Sequence, residues 1–185
     1  MKTSLLRNLH LATLAVALTT TAFADSVTVV GGENMFSAKN IIQNAVNSKD
    51  HKTLVAAVKA AGLVDTLQGA GPFTVFAPTD AAFGKLPAGT VEKLVMPDMK
   101  DMLTKVLTYH VVAGKMTFSD LAKKIKAGKG KAELTTVSGD KLSAMMNGER
   151  NITLKDAKGN MANISTYDVM QSNGVIHVID TVVMP

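Results

Sequence analysis

The chain has 185 residues, 46% hydrophobic and 19% charged, with 20 Lys and Arg against 15 Asp and Glu. That size and composition describe one globular domain. The chain contains no Cys, which excludes disulfide scaffolds, thiol nucleophiles, cysteine-built metal sites and a cysteine-linked lipid anchor.

The first predicted element is a targeting segment. Lys2 and Arg7 precede a short apolar run over 9–18, and Ala22-Phe23-Ala24 forms a small-x-small cleavage signal before Asp25. This is the pattern of a secretory signal peptide at 1–24. The run is too short for a membrane span, and no later segment is long and apolar enough for one. The expected location is therefore secreted, either periplasmic or extracellular. Residues 25–37 read as a leader strand or loop, and 38–185 as the domain.

Ile41, Ile42, Ala45 and Val46 recur at helical spacing. Leu54, Val55, Val58 and Ala61 share the face of a second helix, with Ser48 or Asp50 as cap and Gly62 as stop. A short turn with Leu63, Val64 and Leu67 follows. Residues 73–77 (FTVFA) form a strand by their β-branched and aromatic content. Thr79 or Asp80 then caps a short helix, Thr90 caps a turn, and a helix is expected over 99–108. Residues 109–112 read as a strand, and Thr117 or Ser119 opens a helix through Ile125. From 132 the period changes to two. Strands at 132–137, 141–146, 151–155 and 161–165 are separated by Gly- and Asn-containing turns, and a final pair at 167–171 and 175–183 is joined by Ser172-Asn173-Gly174. Helices first and strands last predict an α+β domain.

Three segments together resemble a known family. Thr74-Val75-Phe76-Ala77-Pro78-Thr79-Asp80-Ala81-Ala82-Phe83 resembles the first signature of the fasciclin domain. Gly174-Val175-Ile176-His177-Val178-Ile179-Asp180 resembles the second, and Leu107-Thr108-Tyr109-His110-Val111-Val112 the Tyr-His motif between them. Ala113 stands where a Pro often follows that motif. The resemblance implies a fasciclin-like wedge of antiparallel β-strands packed with several α-helices. It also implies a secreted, non-catalytic role in adhesion and binding at the bacterial envelope. Thr74, Phe76, Pro78, Thr79, Asp80, Phe83, Gly174, His177 and Asp180 are its structural signature residues.

The functional candidates divide by chemistry. Val175, Ile176, Val178 and Ile179 cannot share one strand face, so the last strand is expected to be buried on both faces. His177 within it is then a neutral, hydrogen-bonded core residue. Tyr109 and His110 are candidate partner-binding residues, one expected in the core and the other facing solvent or a neighbouring helix, with bonds to the local backbone as the structural alternative. Asp168 and Val169 resemble an Asp-Ile segment that animal family members present to integrins, with edge-strand alternation as the plain alternative. Lys123, Lys124 and Lys126 form a basic run that suits an acidic polysaccharide or an anionic lipid surface, or simply a helix C-terminus. Met96, Met99 and Met102 form a Met-x-x-Met-x-x-Met run. It is expected to pack in the core or along a helix face, and the alternative is a soft-metal site for copper in a periplasmic carrier or sensor.

No catalytic signature is present: no Gly-x-Ser-x-Gly, His-Glu-x-x-His, P-loop or dinucleotide fingerprint. His51, His110 and His177 lack ligand-like spacing, and no cofactor is expected. With no Trp, 4% aromatic residues and a net charge of only +5, nucleic acid is not an expected partner. A protein or an acidic polysaccharide at the cell surface is.

Overall fold

The computed structural model describes residues 27–185; the expected signal peptide and its cleavage site lie outside them. The described chain opens with a hairpin of β1 (Val27–Val30) and β2 (Glu33–Phe36). Val30 and Met35 of this hairpin are buried in the main helical core. The segment expected as a leader therefore packs as part of the domain.

Three helices follow: α1 (Ile41–Ala45), α2 (Lys52–Ala61) and α3 (Val64–Gln68). Asn40 and Gln43 form a reciprocal capping box on α1, and Gly62 ends α2 in the left-handed region at φ +73°. The predicted caps of α2 do not cap it. Its N-cap position is His51, which makes no side-chain cap bond. Instead Asp80, 27 residues away, accepts from the Lys52 and Thr53 N–H groups at 3.3 and 2.8 Å. Of the two residues offered as caps for the helix that follows, Thr79 takes that place, its hydroxyl accepting from Ala82 N–H.

After β3 (Phe73–Pro78) come α4 (Asp80–Gly84), α5 (Thr90–Leu94), a 3-10 turn at Pro97–Met99 and α6 (Lys100–Tyr109). Then follow β4 (Val111–Ala113) and α7 (Phe118–Ala127). A Thr117–Asp120 capping box opens α7. The remaining strands are β5 (Lys131–Thr135), β6 (Lys141–Met146), β7 (Ile152–Lys155), β8 (Met161–Gln171) and β9 (Gly174–Ile179). The two strands expected between 161 and 171 are one, bent by register shifts between Ile164 and Val169. Asp168 takes a φ of +55° at that bend, as bulged strands do to keep a ladder on a curved sheet.

The seven strands of the main sheet run in the order β4-β3-β9-β8-β7-β6-β5. All neighbours are antiparallel except β3 and β9, which pair in parallel. The α+β class holds, and the expected antiparallel sheet is mixed at its centre. A bridge between Val112 and Thr136 brings β4 toward the β5 end, curling the sheet into a near-closed wall. Only a glycine fits where β3 and β9 begin, because a Cβ on Gly174 would lie 2.1 Å from the Phe73 carbonyl oxygen.

Two cores result. One lies between the sheet and α1, α2, α3 and α6, and the other inside the curl under α7. The predicted two-faced strand serves both. Ile176 and Val178 of β9 enter the first core, and Ile179 enters the second. Val75 and Phe76 divide in the same way on β3.

Candidate functional site

The Tyr-His motif sits where α6 ends. Helix α6 runs through Tyr109, and His110 is its C-cap. The expected strand begins one residue later, so the strand rule of opposite faces does not govern this pair. Both side chains are buried, Tyr109 fully and His110 to within 3% exposure. The expectation that one ring faces solvent is thus corrected. At a helix end, successive residues diverge by about 100°, and two different elements cover the two directions. The Tyr109 hydroxyl donates to the Lys141 carbonyl at 2.9 Å and accepts from Ala157 N–H at 3.2 Å. His110 Nδ1 bonds the Val106 carbonyl at 2.8 Å, and Nε2 accepts from Val183 N–H at 3.2 Å. That pairing fixes the tautomer with the proton on Nδ1. Burial pushes the His110 pKa down to about 4. The motif therefore ties α6 to β6, to the β7–β8 turn and to the C-terminal tail.

His177 matches its expectation. It is fully buried, its Nε2 bonds the Met116 carbonyl at 2.8 Å, and its Nδ1 accepts from Asp168 N–H at 3.3 Å. Phe76 stacks on the ring and Tyr167 meets it edge-on. Burial holds its pKa below the usual histidine value. The other signature residues also serve the fold. The Thr74 hydroxyl donates to the Gly114 carbonyl and accepts from Met116 N–H. Pro78 is buried at the end of β3, and Phe83 packs between two cores. Asp180 accepts from the backbone and side chain of Asn163.

Asp168 and Val169 lie on β8, an internal strand between β7 and β9, which corrects the edge-strand alternative. Val169 is buried in the first core, so its side chain is withdrawn from the surface. The Asp168 carboxylate accepts from Phe118 N–H at 2.7 Å, at the start of α7. A carboxylate at that end of a helix is favoured by the helix dipole.

The basic run stands at the opposite end of α7. Lys123, Lys124 and Lys126 are all exposed, and none joins an ion pair among the described residues. The nearby Glu133 is already bridged by Lys131 and Lys141 at 3.3 and 2.8 Å. Asp120 is held below the usual carboxylate range, first by its bonds with Thr117 and also by the charges of Lys123 and Lys124. Leu121 and Ile125 anchor the helix's other face in the second core, so the lysines project from a supported surface.

The methionine run is not in the core. Met96, Met99 and Met102 are 52, 36 and 48% exposed, beside Val95 at 39%. Leu94, Leu103, Val106 and Leu107 fill the interior positions instead. Among the described residues no cluster of His, Asp and Glu could hold a metal ion, and no helix is long and apolar enough to cross a membrane.

Two features escaped the sequence. Asn173, read as a turn residue, is buried, accepts from Ile41 N–H and donates to the Leu67 and Gly69 carbonyls. It joins the β8–β9 turn to α1 and α3. The second is an apolar pocket between those helices and the sheet, bounded by Leu54, Val58, Leu67, Phe73 and Val111. No local pattern announces either one, because their parts are brought together from segments far apart in the sequence.

Comparison with known proteins agrees with the fold. A family model described as Fasciclin domain matches residues 49–185. Protein sll1483 of Synechocystis is 44% identical over 178 residues, covering 92% of this chain and 90% of its own. Cell surface glycolipoprotein MPB83 of Mycobacterium bovis is 41% identical over 123 residues, covering 66% of this chain and 48% of its own. A solved FAS1 domain pair from the insect cell adhesion molecule Fasciclin I superposes with a TM-score of 0.69 at 24% identity. The match covers 80% of this chain and 51% of the insect one.

Proposed function

Because this chain belongs to the fasciclin domain family, we propose that it is a non-catalytic binding and adhesion protein, exported to the bacterial envelope or beyond. Its partner in this reading is an acidic polysaccharide or another anionic surface, held by the end of α7. The carrying observation is that Lys123, Lys124 and Lys126 are clustered, exposed and in no ion pair among the described residues. Clustered free cations gain affinity for a polyanion by releasing its counterions, and the field of the cluster steers the approach. By contrast, the polar groups of the Tyr-His motif and of His177 are already bonded within the fold. Export is supported by the sequence of residues 1–24 and by a relative whose name places it at the cell surface. Replacing Lys123, Lys124 and Lys126 with Gln is expected to weaken retention on an alginate or heparin column and to flatten its salt dependence. Thermal stability should stay within a few degrees of wild type, as surface changes usually allow. Unchanged retention would remove this face as the site.

A second reading, copper handling, draws on the exposure of Met96, Met99 and Met102. Thioethers are soft ligands suited to Cu(I). In that reading Cu(I) raises the melting temperature, and replacing Met99 and Met102 with Leu abolishes the rise. No response to Cu(I) would eliminate it.

A further inference from the structure

The chain contains two Asn-Gly pairs, 147–148 and 173–174, and the fold treats them oppositely. Asn173 is buried, and its side chain accepts from Ile41 N–H and donates to the Leu67 and Gly69 carbonyls. Its own carbonyl accepts from Phe73 N–H at 3.0 Å, and Gly174 pairs with Gln171 in the sheet. Asn147 stands in the turn between β6 and β7, where residues 147–151 are exposed. Only its backbone is held there, by a 2.7 Å bond from its N–H to the Asn151 carbonyl. Among the described residues neither the Asn147 side chain nor the Gly148 N–H has a hydrogen-bond partner. Gly148 takes a φ of +86° and carries no Cβ to shield its nitrogen.

The same turn lies beside the proposed polyanion face. Strand β6 pairs with β5 through Met145 and Lys131. Lys131 abuts Gly128, the C-cap of α7, where a Cβ would lie 1.9 Å from the Lys131 carbonyl oxygen. Asn147 follows Met145 by two residues, so it leaves the sheet at the end where the α7 lysines stand. The turn is neutral, its Glu149 balanced by Arg150. We propose that Asn147 is a site of spontaneous deamidation, and that the carboxylate it yields weakens polyanion binding at the end of α7. The weakening rests on the polyanion reading; the deamidation does not. The Gly148 nitrogen, on losing its proton to water, attacks Asn147 Cγ. The N–Cγ bond forms, the Cγ–Nδ2 bond breaks, and the amide nitrogen takes up a proton and leaves as ammonia. Water then opens the cyclic imide at either carbonyl, giving aspartate or isoaspartate, and nothing is oxidised or reduced. Either product leaves the turn with a net negative charge, which repels an approaching polyanion. At Asn173 the same attack must first break the side-chain bonds of a buried group, a cost absent from the exposed turn.

The test ages the protein in warm neutral buffer and maps its peptides by mass spectrometry. Aspartate and isoaspartate should accumulate at Asn147 at least about tenfold faster than at Asn173. In guanidinium-unfolded protein the two pairs should react at similar rates, because the fold no longer separates them. Asn147→Asp should bind an alginate column about twofold more weakly than wild type and elute at lower salt. Its melting temperature should stay within a few degrees of wild type, as surface changes usually allow. Ageing should shift wild-type elution toward that of Asn147→Asp and leave Asn147→Gln where it was. Deamidation is overturned by an intact Asn147 in aged protein, or by equal rates at Asn147 and Asn173 in the folded state. The regulatory role is overturned by equal retention of Asn147→Asp and wild type. If replacing the three lysines also leaves retention unchanged, the polyanion reading has failed and the regulatory role falls with it, whereas the peptide map still judges the modification.

Discussion

Replacing Tyr109 with alanine is expected to cost at least about 4 kcal/mol of stability. Truncating a buried aromatic ring alone removes roughly 3–5 kcal/mol of packing. The change also takes the hydroxyl from the Lys141 carbonyl and the Ala157 N–H, two part-buried bonds worth about 1 kcal/mol each. Tyr109→Phe keeps the ring and loses only the bonds, so it should fall well short of the alanine variant. His110→Ala should also destabilise, by more than about 2 kcal/mol, because it frees the Val106 carbonyl and Val183 N–H in a buried site. Urea unfolding of the three variants measures this. A loss below about 1 kcal/mol for His110→Ala would return its ring to the surface. The same histidine adds a pH signature. Its folded pKa of about 4 lies below the unfolded value near 6.5, so the folded state favours the neutral ring. Its contribution is complete above pH 6.5 and is lost as the pH falls toward about 4. His51 and His177 are shifted in the same direction by burial and add to that loss.

Ile176→Ala should cost about 2–5 kcal/mol, the range for removing a large aliphatic side chain from a site that cannot collapse. Ile176 is 7% exposed and stands on β9 between β3 and β8, packed in the core formed with α2 and α6. Both neighbouring strands hold its backbone in place, so the surroundings have little freedom to close the cavity. A denaturant midpoint shifted with unchanged slope would identify a pure stability loss. A shift below about 1 kcal/mol would show that β9 does not anchor the fold.

The two arguments rest on different kinds of information. The burial of Ile176 was legible in the sequence, since consecutive apolar residues in one strand leave no face for water. The burial of His110 was not, because it depends on the C-terminal tail returning to cover α6. The site candidates divide in the same way. The α7 lysines are exposed, as their clustering implied. Of core and helix-face packing, both offered for Met96, Met99 and Met102, the core is excluded, because Leu103, Val106 and Leu107 fill the interior positions of α6.

By itself the sequence determined what local physics controls: the order of helices and strands, the cap positions at 79–80 and 117–119, the glycine turns between the later strands, and the two-faced character of β9. Its three motifs also identified the family. Only the tertiary structure decided the partners. It paired β9 with β3 in parallel, set Asp80 on the end of α2, made Asn173 the joint between two helices, and buried His110 beneath the C-terminal tail. Local spacing reports which way a side chain points along its own element. What it meets there is chosen when distant elements close over it, at separations that carry no periodic signal.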